Sequence, residues 1–202
     1  GANFYETVKQ IRDRLGAVPV PLQLPIGAES SFQGPVDLLT QQMMVYTDEQ
    51  GMTIEPRPVS PELGLAVREW RARMIERVGE HDEKIMELFI HDQTPTVDQL
   101  KEAIRRATIA GKIVPVFCGA SARNKGVQML LDAVCQYLPS PLDIPPVKGT
   151  HPETGAEEVR ETSPKASFCA LAFKIMSDPF VGKLTFFRVY SGVFRSGTYG
   201  YN

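Results

Sequence analysis

The feature that most constrains the fold of this chain is a continuous apolar run that ends at a small-residue turn and leads into an amphipathic helix. The run "IVPVFC" spans 113–118, the turn "GASA" spans 119–122, and the apolar-periodic segment "VQMLLDAVCQYL" spans 127–138. A strand that is apolar throughout is typical of a parallel sheet covered on both faces. Strand, glycine turn and helix therefore predict half of a parallel α/β unit. The helix is expected to turn one side inward, formed by Val127, Leu130, Leu131, Val134 and Leu138.

The start of the chain predicts the other half of this α/β unit. A first helix is indicated by apolar residues at helical spacing between Asn3, which can cap it, and Gly16, which can end it. The segment "VPVPLQLPIG" at 18–27 alternates apolar residues with proline, which cannot donate to a strand ladder. This pattern predicts an edge strand or a strand that leaves the sheet. We expect 1–27 and 111–140 to form one domain.

Residues 28–110 differ in character and predict a self-contained α+β insert in that domain. Three β-type runs separated by turns predict a small meander before residue 60. Three helices are predicted after it: one from Ser60-Pro61 to Gly79, one at about 82–91, and one opened by a capping box of Thr96 and Gln99.

The predicted insert is the acidic part of the chain. It contains 15 Asp/Glu and 9 Lys/Arg, a net charge of −6, whereas the remaining residues carry +4. An acidic segment repels phosphate backbones, so it favours a protein partner over nucleic acid. The alternative, that these charges are only solvated helix faces, is equally open at this point.

The C-terminal part of the chain changes to a period of two. Residues 139–165 contain six prolines, and we expect a linker over 141–165. From 166 to 202, alternating apolar residues and Ser-Gly turns predict the opening strands of an antiparallel β-barrel domain. The barrel is expected to be incomplete, because about three strands leave open edges.

Composition bounds the class of protein. A chain of 202 residues with 43% hydrophobic residues and a net charge of −2 is typical of a globular protein with one or two domains. No apolar run approaches the roughly 20 residues of a membrane helix. Cys118, Cys135 and Cys169 are an odd number at wide spacings, which favours a reducing cytoplasm. The chain begins without Met and without signal-peptide features, so we expect a piece of a longer protein.

Three short stretches imitate nucleotide-binding motifs. "NKGV" at 124–127 resembles Asn-Lys-x-Asp, but Val127 cannot supply the carboxylate that pairs with guanine. "FVGKLT" at 180–185 resembles a phosphate loop, but Leu184 replaces the Ser/Thr that binds magnesium. "DEQG" at 48–51 fits Asp-x-x-Gly, a pattern of common turn residues. We expect no phosphate-binding or magnesium-binding motif in this chain.

Catalytic and metal-ligating residues are not predicted either. The three histidines, His81, His91 and His151, lack the spacing of a shared metal site. Cys118 has no evident base beside it in the sequence, so hydrolase chemistry is unsupported. Catalysis by this chain alone is not expected.

The small-residue turn "GASA" is the candidate binding site. Ligands of open α/β sheets bind outside the carboxyl ends of strands, where this turn lies. Its backbone N–H groups could approach a purine and would favour the carbonyl acceptor of guanine over the amino group of adenine. The alternative is that small residues between a strand and a helix serve only tight packing. The candidate residues are Gly119, Ala120, Ser121 and Ala122.

Several stretches, in order along nearly the whole chain, resemble bacterial elongation factor G, the GTPase that drives translocation on the ribosome. They are "GANFY" at 1–5, "QLPIG" at 23–27, "AIRRATIAGKIVPVFCG" at 103–119, "NKGVQMLLDAV" at 124–134, "YLPSPLDIPPVKGT" at 137–150 and "FKIMSDPFVGKLTFFRVYSG" at 173–192. Release-factor and tetracycline-protection GTPases share the general plan, but the last stretches are more similar to elongation factor G.

The resemblance implies that this chain is an internal fragment of a P-loop GTPase. Residues 1–27 and 111–140 would be the C-terminal part of the GTPase domain, and 28–110 its inserted subdomain. The phosphate loop, the switch regions and Asn-Lys-x-Asp would lie upstream. The parent would bind GTP or GDP with Mg²⁺, whereas the fragment is expected to hold no nucleotide and to be inactive.

The resemblance also implies partners for a cytoplasmic, monomeric parent. These are the ribosomal stalk protein, through 28–110, and ribosomal RNA, through the other domains. In the family the guanine loop reads Gly-Ser-Ala and then a larger apolar residue, whereas here the order is Gly119-Ala120-Ser121-Ala122. Because the family's contact uses largely backbone donors, this exchange need not remove it. Two alternatives stay open: a non-catalytic module that docks the stalk protein, and a paralogue that acts in ribosome recycling or ribosome protection.

Overall fold

The chain divides into two units at the Leu138–Pro139 junction in the computed structural model, which describes residues 2–200. The first unit contains α1 (Phe4–Leu15), β1 (Pro19–Pro21), β2 (Gln23–Ile26), β3 (Gly34–Asp37), β4 (Gln42–Tyr46), β5 (Ile54–Pro58), α2 (Pro61–Gly79), α3 (Glu83–Ile90), α4 (Val97–Ile109), β6 (Val114–Val116) and α5 (Val127–Tyr137). Short 3-10 helices lie at Glu29–Ser31 and Ser121–Arg123. The second unit contains β7 (Val147–Thr150), β8 (Glu157–Arg160), β9 (Cys169–Asp178) and β10 (Gly182–Ser191).

Side chains and glycine end the helices largely as the sequence predicts. The Asn3 side chain accepts a hydrogen bond from the amide of Glu6 at 3.2 Å, and Gly16 ends α1 in the left-handed conformation. Thr96 and Gln99 form the complete capping box of α4. Ser60 precedes α2 in extended conformation, but its hydroxyl makes no capping hydrogen bond.

The first unit contains two sheets, and the proline-rich segment passes from one to the other. Strand β1 pairs in parallel with β6, and β2 begins an antiparallel sheet of order β2-β3-β4-β5. The predicted strand that leaves its sheet is therefore present, and the predicted meander is β3 to β5. The described residues give a mixed α/β fold with small antiparallel sheets.

One core joins the four-stranded sheet to the helices. Val36, Leu38, Val78, Leu100 and Ile104 are fully buried in it. Burying a side chain of this size contributes about 1.5–3 kcal/mol. The core also includes Val20 and Leu24 from before residue 28 and Ala133 from after residue 110, so the predicted insert and its flanks are packed together. The boundaries at 28 and 110 stay predictions.

The prediction of which side of α5 faces the core is wrong. Leu130, Leu131, Val134 and Leu138 are 45–61% exposed, while Ala133 and Tyr137 are buried instead. The reason is that α5 contacts the rest of the unit through its other side, mainly along α4. Nothing among the described residues of this unit covers the apolar stripe.

The second unit consists of two antiparallel hairpins, β7–β8 and β9–β10. The first hairpin lies inside the predicted linker, where the prolines concealed it. The second supplies two long strands of the predicted barrel start, and the described residues form no closed barrel. No helix within residues 2–200 is both long and apolar enough to cross a membrane.

Candidate functional site

The loop between β6 and α5 is closed by a small backbone bridge. The amide of Ala120 donates to the carbonyl of Lys125 at 2.8 Å, and the amide of Lys125 donates back to Ala120 at 3.2 Å. The 3-10 helix Ser121–Arg123 forms the tip enclosed by this bridge. The predicted site residues therefore lie together on one short, internally bonded turn.

Three backbone donors of this turn have no partner within the described part of the chain. The amides of Gly119, Ser121 and Ala122 have no hydrogen-bond acceptor among the residues that the structure describes. Gly119, Ser121 and Ala122 are exposed, and Ala120 is half-buried. Since backbone donors need a partner in protein, water or ligand, these three amides are available to a bound molecule.

The two glycines that flank the turn are required by close backbone packing. A Cβ on Gly119 would lie 2.7 Å from the carbonyl oxygen of Lys125, and a Cβ on Gly126 would lie 2.7 Å from that of Cys118. Gly126 also has a φ of +84°, which other residues rarely adopt. Tight packing thus explains Gly119 and Gly126, but it does not account for the three unpartnered amides.

A cavity of about 620 Å³ adjoins the turn. It lies between the start of α1, the segment after β2 and the end of β6, and Gly119 and Ala120 line it whereas Ser121 and Ala122 do not. Its aromatic walls are Phe4, Tyr5, Phe32 and Phe117. The volume is within the range of small-molecule sites.

Cys118 and Tyr5, two of the titratable groups that line this cavity, are neutral near pH 7. Burial raises the pKa of the Cys118 thiol to about 12. Burial, and then the neighbouring Cys118, raise the pKa of Tyr5 above its usual value. A protonated thiol is a poor nucleophile, so Cys118 does not favour covalent chemistry in this cavity.

Several residues that support the turn have no motif in the sequence. The buried side chain of Gln23 accepts a hydrogen bond from the amide of Cys118 at 3.3 Å. Tyr46 and Gln128, 82 positions apart, are joined by a hydrogen bond of 3.0 Å. The only sequence signal for these residues is a polar side chain within an otherwise apolar segment, since such a side chain needs a hydrogen-bond partner when it is buried.

The remaining sequence candidates lie elsewhere. His81 and His91 line a separate cavity between α2 and α3, and His151 lies in the second unit. No group of three or more His, Cys, Asp or Glu residues within residues 2–200 is placed to hold a metal ion.

The fold and site define a mixed α/β protein with an open, donor-rich turn beside a cavity. No protein-family model matches the chain. A crystal structure of a protein from Thermus thermophilus is similar to it, with a TM-score of 0.70 and 25% sequence identity over 95% of this chain. The chain covers 26% of that protein and so spans about a quarter of its length. The similarity supports the mixed α/β fold and a structural link to that protein.

Proposed function

We propose that this chain supplies the guanine-facing part of a nucleotide-binding domain in a translational GTPase similar to elongation factor G. One observation carries the proposal: the amides of Gly119, Ser121 and Ala122 have no acceptor among the described residues, and Gly119 lines a cavity of about 620 Å³. The resemblance of the sequence to that family predicts a guanine contact at these residues.

The chemistry of the turn favours guanine over adenine. Guanine presents a carbonyl oxygen where adenine presents an amino group, so backbone N–H donors pair with the first and leave the second unsatisfied. A buried donor without an acceptor costs about 1–3 kcal/mol. The exchanged order of Ala120 and Ser121 is tolerated, because the contact requires backbone donors rather than the serine hydroxyl.

The first unit also looks like part of a larger α/β domain. Within residues 2–200 its parallel sheet has two strands, β1 and β6, whereas parallel sheets are normally larger and covered on both faces. The apolar stripe of α5 is also exposed. In the proposal, residues upstream of this chain supply the missing strands, the phosphate loop, the switch regions and the Mg²⁺ site.

Titration of fluorescent GDP tests the proposal. We expect no measurable binding by the 202-residue chain, because charge-assisted contacts to phosphate dominate nucleotide affinity. A longer chain, extended upstream in its own reading frame, should bind GDP tightly and ADP weakly. Tight binding by the 202-residue chain would contradict the assignment of the phosphate half to upstream residues. Failure of the longer chain to bind GDP would reject the GTPase proposal itself.

The activity of the parent follows from the same resemblance. We propose that the parent is cytoplasmic and uses GTP hydrolysis to move tRNA and mRNA on the ribosome. Recycling of ribosomes and protection of ribosomes are the alternatives within this class. Single-turnover translocation measured with the full-length protein separates them, because a recycling or protection factor would hydrolyse GTP on ribosomes without moving mRNA.

A docking function is favoured by a second cavity, of about 620 Å³, between α2 and α3. Its walls combine the apolar side chains of Met86 and Ile90 with carboxylates that include Glu83 and Glu87. Acidic groups around apolar ones suit a basic, amphipathic partner. We propose that the C-terminal domain of the ribosomal stalk protein binds here.

A pull-down at low salt tests this docking function. The chain should retain the stalk domain, and a variant with Glu83→Lys and Glu87→Lys should lose it. Substitution of Glu55 and Glu62 by Lys, which makes the same charge change outside this cavity, is the matched control and should bind normally. Equal loss in both variants would indicate a general charge effect, and retention in both would reject the site.

A further inference from the structure

The "DEQG" stretch at 48–51 and the "NKGV" stretch at 124–127, which fail as nucleotide motifs, contact each other in the structure. We call this contact, between residues 46–53 and residues 123–128, the interlock. We propose that the turn 47–53 sets the position of the purine-facing turn 119–122, with Tyr46, Asn124 and Gln128 as positioning residues. The assignment of a purine to that turn rests on the proposed function, whereas the interlock itself rests only on the geometry below.

The turn 47–53 touches the backbone of Arg123 and Asn124, directly after the turn 119–122. A Cβ on Gly51 would lie 2.5 Å from the carbonyl oxygen of Arg123 and 2.8 Å from that of Asn124. Gly51 also has a φ of +66°, which strains any other residue. No side chain separates the turns, so a displacement of one backbone is transmitted directly to the other.

Two side chains converge on one carbonyl of the first turn. Asn124 donates through Nδ2 to the oxygen of Gly51 at 3.1 Å, and Gln128 donates through Nε2 to the same oxygen at 2.7 Å. Asn124 has a φ of 53°, a left-handed conformation that asparagine tolerates better than most residues. Both lone pairs of the Gly51 carbonyl are therefore used to hold Asn124 and Gln128, which follow the 119–122 turn.

The hydroxyl of Tyr46 joins the four-stranded sheet to the same place. It accepts a hydrogen bond from the amide of Gly126 at 2.7 Å and donates to Oε1 of Gln128 at 3.0 Å. Tyr46 is buried, so losing either bond would leave a polar group without solvent. This hydroxyl fixes the residue that follows the Ala120–Lys125 bridge.

The first turn is itself well held, so it can support the second. The carboxylate of Asp48 accepts hydrogen bonds from the amides of Met52, at 3.0 Å, and Thr53. These backbone hydrogen bonds lower the pKa of Asp48 below its usual value, so the carboxylate is ionised at neutral pH. Asp48 therefore holds the backbone around Gly51, and the Gly51 carbonyl in turn accepts the hydrogen bond from Asn124.

Hydrogen exchange of backbone amides in the 202-residue chain tests the interlock. Tyr46→Phe keeps the ring and removes both hydrogen bonds. Exchange at Ala120, Asn124 and Gly126 should become about tenfold faster, the effect of losing one ordinary hydrogen bond. Amides of α4 should change only as far as global stability changes. Asn124→Gly, which keeps the left-handed backbone but removes the side-chain bond to Gly51, should loosen the same three amides.

Tyr137→Phe is the matched control. Tyr137 is also buried in the first unit, but its hydroxyl has no hydrogen-bond partner among the described residues. This variant should leave exchange at Ala120, Asn124 and Gly126 unchanged. Unchanged exchange there in Tyr46→Phe and Asn124→Gly would overturn the proposal, as would a uniform acceleration across the whole unit, which indicates a purely structural role.

The outcome is separable from that of the GDP titration, because exchange is measured without nucleotide. Local loosening in Tyr46→Phe, with failure of a longer chain to bind GDP, would preserve the interlock and reject the GTPase. Unaltered exchange, with tight GDP binding by the longer chain, would preserve the GTPase and reject the positioning role.

Discussion

Helices α4 and α5 have the same kind of amphipathic sequence but different surroundings. The stripe of α4, formed by Leu100, Ala103, Ile104 and Ala107, is at most 3% exposed. The stripe of α5 is about half exposed, although its residues are as apolar. Periodicity therefore specifies that a helix has an apolar face, whereas burial depends on whether another element of the chain covers that face.

Two of the antiparallel sheets repeat this contrast. The sheet of β2 to β5 is packed against helices, and Val36 at its centre is fully buried. The β9–β10 hairpin has longer strands, yet Phe173 and Ile175 are 63% and 69% exposed. A two-stranded hairpin alone is marginally stable in water. In both comparisons the less covered element is the one that the proposed function assigns to an incomplete domain.

The largest difference in stability is expected between truncations in the apolar stripe of α4 and truncations in the apolar stripe of α5. Ile104→Ala should lower the free energy of unfolding by about 2–5 kcal/mol, because it leaves a cavity in the core. Leu131→Ala should change it by less than about 0.5 kcal/mol, because this side chain is exposed. Urea unfolding followed by fluorescence of Trp70, the single tryptophan, measures both in the first unit. A Leu131→Ala cost above about 1.5 kcal/mol would mean that the α5 face is covered.

A smaller contrast is expected between two arginines of α2. Arg71 is buried and donates to the carbonyl oxygens of Leu38, at 2.5 Å, and Leu39, at 2.9 Å. Arg71→Ala strands these acceptors and should cost about 2–3 kcal/mol. Arg77→Ala breaks only an exposed pair with Glu80 and should cost about 0–1 kcal/mol. If the two substitutions lowered the free energy of unfolding equally in urea, the buried hydrogen bonds of Arg71 would contribute no more than the exposed ion pair of Arg77.

Asp82 links α3 to the exposed side of α4, and its effect should depend on pH. It caps α3 through the amide of Ile85 and forms an ion pair with Arg106. Burial alone would raise the pKa of Asp82, but the hydrogen bonds from Arg106 and Ile85 outweigh it and lower the pKa. Its stabilisation is therefore present above the unfolded-state pKa of about 3.9 and is lost as the pH falls through the lower folded value.

Two substitutions separate the charge of Asp82 from its cap. Asp82→Ala should cost about 1 kcal/mol at pH 7 through loss of the cap. Asp82→Asn keeps a capping side chain, should cost less, and should reduce the pH dependence of stability below about pH 5 by the contribution of Asp82. Urea midpoints across this range measure the difference. If stability depended on pH in the same way in Asp82→Asn and in the unsubstituted chain, another carboxyl group would be responsible for that dependence.

The smallest contrast is in thiol reactivity. Cys135 is exposed on α5, whereas Cys118 is partly buried and burial raises its pKa to about 12. Because the thiolate is the reactive form, Cys118 should be labelled at pH 8 at least about tenfold more slowly than Cys135. Mass spectrometry of labelled peptides measures both rates. Equal rates would show that the wall of the cavity at Cys118 opens readily.

Local signals account for much of the fold and for little of the site. Caps, turns and apolar periodicity predict the helices and the meander, because these depend on residues within a few positions of each other. The contact of Gly51 with Asn124 joins residues 73 positions apart, and no local pattern indicates it. The β7–β8 hairpin was hidden by neighbouring prolines, and the side of α5 that packs was wrong because the more apolar side is uncovered.

The sequence predicts where the turn 119–122 lies in the fold, but it does not predict the backbone geometry of the turn. Glycine and small residues after a buried strand indicate a close backbone approach, and the structure has one at Gly119. The unpartnered amides depend on the Ala120–Lys125 bridge, which forms only when the segment folds back on itself. Sequence alone could not therefore distinguish a binding turn from a packing turn.

The most direct measurement of the central claim is GDP affinity of a longer chain that carries Ser121→Pro. Ser121 is the first residue of a 3-10 helix, a helix position at which proline is tolerated, and Ser121→Pro removes its N–H donor. Ser121→Ala keeps the donor and is the control. We predict about tenfold weaker GDP binding for Ser121→Pro and little change for Ser121→Ala. Unchanged GDP affinity in Ser121→Pro, with normal folding, would contradict the assignment of this backbone to guanine.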